Sequence, residues 1–549
     1  MRSFIFLFLS FFLVGSICSQ NFSRKDSLRG NLTSLRTCYD VVFYDLFLNI
    51  DENSKSLVGS SNSIHFHAKE NFNKIQIDLA QNMQINKIEF LNEDLIFERD
   101  FDAVYIYFPM QIKKNEFHKI KVYYEGQPKI AKNPPWDGGF SWKQDENNNP
   151  WISVSCQGTG ASTWWPCKDH QSDEPDSMQI TGVVRSSLQF ISNGNLRNQK
   201  EYFSEVLNSN IIESSWFVSY PINNYNVTLY IGDYIHFSDI YVKNKDTLML
   251  DYFVLKNNLI KAKNHFKQVK PMLKCFENYF GKYPYWNDGY ALVEAPYLGM
   301  EHQSAIAYGN NYLAGYRGNI SYIDSLKFDF IILHETGHEW WGNSITTNDI
   351  ADMWVHEGFC TYAEVLYVEC MYGYDKMLSY VNNQKKHVKN DRPIIGKYNL
   401  NFKGSSDMYS KGSLMLHTLR NVINNDSSWF KLIKNISIDF RDKNIDGSEI
   451  IQYINDRTEL DLTKFFSQYL NHRQIPTFEY KLQKHGAHYT LLYKWKAIDG
   501  FNMPIKINYG TKNKILSPTS LWQELDLGFF DIETFNVRDD LFFIRVNKM

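Results

Sequence analysis

Residues 333–357 read LHETGHEWWGNSITTNDIADMWVHE, and this stretch constrains the fold and chemistry of the chain more than any other. His334 and His338 stand four apart with Glu335 between them, and Glu357 follows after eighteen intervening residues. On an α-helix, residues i and i+4 share a face, so both imidazoles can address one ion. A carboxylate on a second, mostly apolar helix is costly to bury unless it meets a cation. The stretch therefore calls for two packed helices on which His334, His338 and Glu357 converge. Two neutral imidazoles and a carboxylate suit one Zn²⁺, and three protein ligands leave a fourth position open for water. That is the arrangement of a catalytic zinc site.

The apolar run from Leu326 to Leu333 predicts a buried helix carrying the motif and stopping at Gly342-Asn343. A second helix is predicted from Met353 to Tyr372, with a left-handed cap at Gly373. Glu364 falls two turns after Glu357 on the same face. There it is either a partner for the outer nitrogen of a ligand histidine or a plain surface carboxylate. Glu335 lies beside the open position without being needed as a ligand. It is placed to take a proton from the attacking water and pass it to a leaving amine.

These residues resemble the M1 family of zinc aminopeptidases, the group that includes aminopeptidase N and leukotriene A4 hydrolase. The family's HExxH, eighteen residues, then Glu is met by His334, His338 and Glu357. Upstream, Leu298-Gly-Met-Glu-His302 resembles the family's GxMEN motif, and downstream Tyr409-Ser-Lys-Gly412 resembles YxKG. Cys156-Gln157 followed by Trp165-Pro-Cys-Lys-Asp169 is a fourth match, and the wording is most similar to Bacteroidetes-type bacterial members. The resemblance implies that Glu301, with Gln157 and the outer oxygen of Glu357, binds the substrate's free α-amine. It implies that Tyr409 donates to the oxyanion and that the backbone around Gly299 and Met300 pairs with substrate like an edge strand. Two departures stand out. Leu298 and His302 replace the first Gly and the final Asn of GxMEN, so His302 either reshapes the primary pocket, titrates near neutral pH, or stands in for Asn as a hydrogen-bonding residue. Tyr409 also follows Glu357 more closely than in the family, which points to a shortened connection around Asn390 to Ser406.

The chain has 549 residues, enough for several domains, and a net charge of −3 with no basic block. Nothing points to nucleic acid or an anionic membrane as partner. Residues 1–19 read as a signal peptide, with Arg2, an apolar core from Phe4 to Val14, and Ile17-Cys-Ser19 before the cut. Export to the periplasm or medium is the expectation, and no later apolar run approaches membrane-spanning length. Cys18 leaves with the leader, and the other six cysteines permit disulfides without requiring them. Cys360 and Cys370, ten apart on one helix, are too distant to bond each other.

Between about Thr37 and Ile240 short period-two runs separated by Asn, Asp and Gly clusters predict an antiparallel β domain. A loop-rich insert beginning at Trp136 leads from it to Gln157. Helical patterning then takes over, and alternation returns after Pro476, including a strand expected over Leu541–Val546. With the family resemblance this gives a multidomain α+β chain. Its expected parts are an N-terminal antiparallel β domain (20–240), a mainly helical thermolysin-like zinc metallopeptidase domain (241–475) and a small C-terminal β-sandwich (476–549). The expected activity is zinc-dependent removal of N-terminal residues from peptides with a free N-terminus. Another zinc hydrolase (an endopeptidase or a bifunctional epoxide hydrolase) and a non-catalytic binding protein on this scaffold are the rival readings. Oligomeric state, preferred first residue and physiological substrate are left open by the sequence.

Overall fold

The computed structural model describes residues 22–205, 209–319 and 326–549. The expected signal peptide, 1–19, lies outside the described residues. The N-terminal part is built on an eight-stranded sheet, with further four- and three-stranded sheets beside it. At its centre Tyr39–Asp51 (β1) pairs antiparallel with Ser56–Ala68. On its other side β1 pairs parallel with Ser177–Arg185 (β2), from Phe43 opposite Ser177 to Asn49 opposite Val183. The domain is therefore mixed rather than purely antiparallel. A parallel pair needs a long crossover, and residues 52–176, which add further strands to this sheet and to its neighbours, supply it.

The boundary expected at residue 240 falls inside a strand. Tyr234–Lys243 (β3) and Asp246–Leu255 (β4) form one hairpin, closed where Lys243 faces Asp246. Asn244 and Lys245 both have positive φ, 49° and 75°, the geometry of a tight turn that matches the twist of paired strands. This hairpin begins a five-stranded sheet that continues through Tyr290–Glu294 (β5) and Ile306–Tyr308 (β7) to Gly299–Met300 (β6) at its edge. The β4–β5 and β5–β7 pairs are parallel and β6–β7 is antiparallel.

Behind this sheet lie Phe330–Gly337 (α1) and Trp354–Tyr372 (α2), with Ser410–Ile423 (α3) packed on α2. Helix α1 is shorter than the sequence pattern indicates. It starts after Asp329, whose side chain accepts from the backbone N–H groups of Ile331 and Ile332, and its last helical residue is Gly337. The chain then turns tightly, and Gly342 takes a φ of +127° that favours glycine. Helix α2 ends as expected at Gly373, but with φ 88° and ψ 170°, which is not the left-handed cap. A disulfide joins Cys275, on the helix Val269–Phe280, to Cys370 near the end of α2.

Residues 477–548 form a four-stranded and a three-stranded sheet. The strand expected over Leu541–Val546 begins only at Arg545. Phe543 is turned instead toward the helices, where its N–H donates to Thr418 Oγ1 and its carbonyl accepts from Tyr469. Apolar residues of this segment, Phe478, Trp495 and Phe543 among them, continue the core of the helical region. Among the described residues no helix is long and apolar enough to cross a membrane.

Candidate active site

A cleft of about 450 Å³ lies between the N-terminal domain and the helices. Helix α1 brings His334 to its floor, His338 follows as the helix's C-cap residue, and the first turn of α2 brings Glu357. All three are buried, the most exposed being His334 at 8%. The two Nε2 atoms lie 3.3 Å apart. Glu357 Oε2 stands 3.5 Å from His334 Nε2 and 3.4 Å from His338 Nε2. Tetrahedral zinc with bonds of about 2.0–2.1 Å has donor-to-donor edges of about 3.3–3.4 Å. The triangle fits that ion.

The remaining valences agree. His334 Nδ1 donates to Glu364 Oε1 at 2.8 Å, and Glu364 Oε2 accepts from Tyr380 at 2.9 Å. His338 Nδ1 donates to the Trp341 carbonyl at 2.9 Å. With both Nδ1 atoms donating, both Nε2 lone pairs face the centre of the triangle. Glu357 Oε2 is buried with no hydrogen-bond partner, a costly state that a bound cation relieves. Burial opposes ionisation of Glu357, but His338 and His334 outweigh it and hold the carboxyl well below its usual range. The Cys360 thiol also lies within 4.8 Å of both histidines. It donates to the His334 carbonyl, whereas Glu357 leaves an oxygen unpartnered, so the carboxylate is the better third ligand.

Glu335 also lines the cleft, and burial pushes its carboxyl up to about 7. Its packing explains a glycine of the upstream motif. A Cβ on Gly299 would come 2.7 Å from Glu335 Oε1 and 2.6 Å from Ile331, so any side chain there would displace the carboxylate. Gly299 and Met300 both line the cleft on β6, the edge of the five-stranded sheet. Next in sequence, Glu301 accepts from Gln157 Nε2 at 2.5 Å. Burial raises the carboxyl of Glu301, and Asn343, itself held by Asn226, donates to its backbone carbonyl.

Tyr409 reaches the site from the start of α3, and its hydroxyl donates to Glu357 Oε1 at 2.8 Å. Two glycines permit this approach. A Cβ on Gly412 would lie 2.9 Å from the Gly358 Cα, so α2 and α3 meet backbone to backbone at that point. Burial, then the neighbouring Glu357, raises the Tyr409 phenol well above its usual range, which keeps it a proton donor. Lys411 faces away, donating to the carbonyls of His472 and Arg473.

His302 does not line the cleft. It is fully buried, with Nδ1 2.8 Å from the Tyr230 hydroxyl. Burial pushes its imidazole down to about 3, so it is neutral at physiological pH and acts as a hydrogen-bonding residue. The structure thus gathers Gln157, Gly299, Met300, Glu301, His334, Glu335, His338, Glu357 and Tyr409 around one cleft. Asp329 was not singled out by the sequence reading, although an Asp before an apolar run is an ordinary helix-start signal, and Asn343 was read only as a helix stop. Arg392 and Lys403, which also line the cleft, were missed because loop cations carry no spacing signature.

The chain is similar to tricorn protease-interacting factor F2 of Thermoplasma volcanium, 26% identical over 215 residues that make up 38% of this chain and 25% of that protein. It is also similar to leukotriene A-4 hydrolase of Xenopus laevis, 23% identical over 350 residues, 59% of this chain and 54% of that one. The chain therefore spans a quarter to about half the length of these curated relatives. The crystal structure of an M1 zinc metallopeptidase from Deinococcus radiodurans matches with a TM-score of 0.67 at 18% identity. That match covers 80% of this chain and 94% of the other. Residues 264–469, which hold Glu301, both histidines, Glu357 and Tyr409, match the peptidase family M1 domain.

Proposed function

We propose that the chain is a zinc-dependent aminopeptidase that hydrolyses the N-terminal peptide bond of peptides. The observation that carries this reading is the Gln157–Glu301 pair, which stands in the same cleft as the metal triangle but outside it. A buried carboxylate that is not needed as a third ligand is suited to a cationic amine. With the amine on Glu301, only the first peptide bond can lie between Glu335 and Tyr409. Zinc, when held by His334, His338 and Glu357, supplies a Lewis acid and makes a water acidic enough to lose a proton near neutral pH. Glu335 takes that proton and returns it to the nitrogen of the leaving peptide. The Tyr409 hydroxyl turns from Glu357 to the former carbonyl oxygen as charge develops there. The edge strand Gly299–Met300 offers its backbone to hold the peptide extended.

Comparisons support the same reading. A mutant of the Deinococcus radiodurans enzyme has been solved with a Tyr-Ser-Ala substrate, and its chain matches at a TM-score of 0.67. Export after cleavage of residues 1–19 belongs to the proposal and is supported by the Cys275–Cys370 disulfide, a bond favoured in oxidising compartments. The two sheets of residues 477–548 are read as a small β-sandwich closing the chain's globular body.

Glu301 provides the test. Glu301→Gln keeps the side chain's size and its contact with Gln157 but removes the charge. Wild-type protein is expected to cleave a free peptide far faster than its N-acetylated form. The variant should lose most of that preference, about tenfold or more, as expected for a charge-assisted contact of about 1.5–3 kcal/mol. Steady-state rates on the two peptides measure it, and equal rates for wild type would favour the endopeptidase reading.

A further inference from the structure

Two cations in the cleft have no part in the hydrolysis described above. Arg392 and Lys403 are solvent-exposed and line the same cavity as Glu301, His334 and Tyr409. Arg392 donates to the Gly404 carbonyl at 3.2 Å and stands over the Phe402 ring, 5.7 Å from its centre. Neither makes an ion pair among the described residues.

Both belong to one tight hairpin. Lys397 and Phe402 form a bridge across it, and Ser405 N–H donates to the Pro393 carbonyl at 2.9 Å. Its two limbs touch at glycines: a Cβ on Gly396 or Gly404 would come 2.0 Å from the carbonyl oxygen of Phe402 or Ile394. The hairpin is therefore tightly packed, and Asn401 ties it to the segment that carries Gln157. Asn401 Nδ2 donates at 3.0 Å to the carbonyl of Gly158, the residue after Gln157, whose amide holds Glu301. The chain then runs from Gly404 through Ser406 and Met408, all on the cavity wall, to Tyr409. Gln157, Arg392, Lys403 and the segment from Gly404 to Met408 all line the cavity that the first side chain of a substrate held at Glu301 and Tyr409 would enter.

Glu301 and Glu335 share the cleft with the metal site, and no other cation outside that site lines it among the described residues. A carboxylate on the first residue would be repelled unless compensated. An arginine fork and a mobile ammonium beside each other are the usual compensation. We propose that Arg392 and Lys403 form a carboxylate-binding subsite beside Glu301, so that peptides beginning with Asp or Glu are preferred substrates. The inference rests on the aminopeptidase reading. The same chemistry could be supplied by the C-terminal carboxylate of a very short peptide, which reaches only about 10 Å when three residues are extended.

The test compares kcat/KM for Glu-Ala-Ala-amide with Gln-Ala-Ala-amide, and for Ala-Ala-Ala with its amide. Wild type, R392Q, K403Q and the double variant are assayed alike; both side chains are exposed, so the core is untouched. The inference expects a Glu-over-Gln ratio of at least tenfold in wild type, which falls toward one in the double variant and in high salt. A free-acid-over-amide ratio that collapses in the double variant, with no Glu-over-Gln preference, would move the subsite to the substrate's C-terminus and overturn the first-residue assignment. Both ratios near one in wild type would overturn the subsite altogether. No turnover on any of the four peptides would count against the aminopeptidase reading and remove the subsite with it.

Discussion

Glu335→Gln is expected to retain zinc yet lower kcat by about 10²–10⁴-fold, the usual contribution of a positioned general base. The amide has the same shape as the carboxylate, so its packing against Gly299 and Ile331 is preserved, and it is not one of the three ligands. What is lost is an acceptor for the proton of the attacking water and a donor for the leaving nitrogen. Burial raises this carboxyl, the direction that helps it hold the proton between the two halves of that transfer. Metal content by atomic absorption and turnover on an aminoacyl p-nitroanilide measure the two effects separately. A variant that holds zinc and still turns over at the wild-type rate would remove Glu335 from the mechanism. A variant that loses zinc would mean that Glu335 supports the metal instead.

Tyr409→Phe should lower kcat about 10²–10³-fold with little change in KM, as for other single oxyanion donors. In the ground state the hydroxyl is spent on Glu357 Oε1 at 2.8 Å, so substrate gains little from it. Only when charge builds on the former carbonyl oxygen does a stronger acceptor appear, and an interaction made in the transition state alone reads out in kcat. The phenyl ring keeps its place beside the His334 ring, 5.9 Å between centres, so the metal site should stand. If KM rises and kcat does not fall, Tyr409 is a binding residue rather than an oxyanion donor.

How much of this was legible beforehand follows from how local each feature is. The triangle of His334, His338 and Glu357 is encoded by helical periodicity and one fixed separation, so sequence alone reached it. Glu364 was ambiguous because a carboxylate on a helix reads the same whether it meets solvent or a histidine; only the packing of α1 against α2 buries it on His334. The extent of α1 was overestimated because apolar residues before Asp329 look helical, while the N-cap bonds of Asp329 set the true start. The parallel β1–β2 pair joins residues more than a hundred positions apart, a separation that period-two patterning cannot carry. For His302, the motif position was visible but its fate depended on Tyr230, a residue from the other domain. The hairpin with Arg392 and Lys403 was anticipated only as a shortened connection. Its tight packing comes from glycine contacts that exist in three dimensions alone.

On the proposed function, Glu301 and Gln157 turn a general zinc hydrolase site into one that counts from the amine. Mass spectrometry of the products from one ten-residue peptide, offered with a free and with an acetylated N-terminus, tests this most directly. The free peptide should give a ladder of species shortened one residue at a time and the acetylated peptide should stay intact, with both zinc and chelator controls in place. Internal fragments, or equal cleavage of the acetylated peptide, would contradict it.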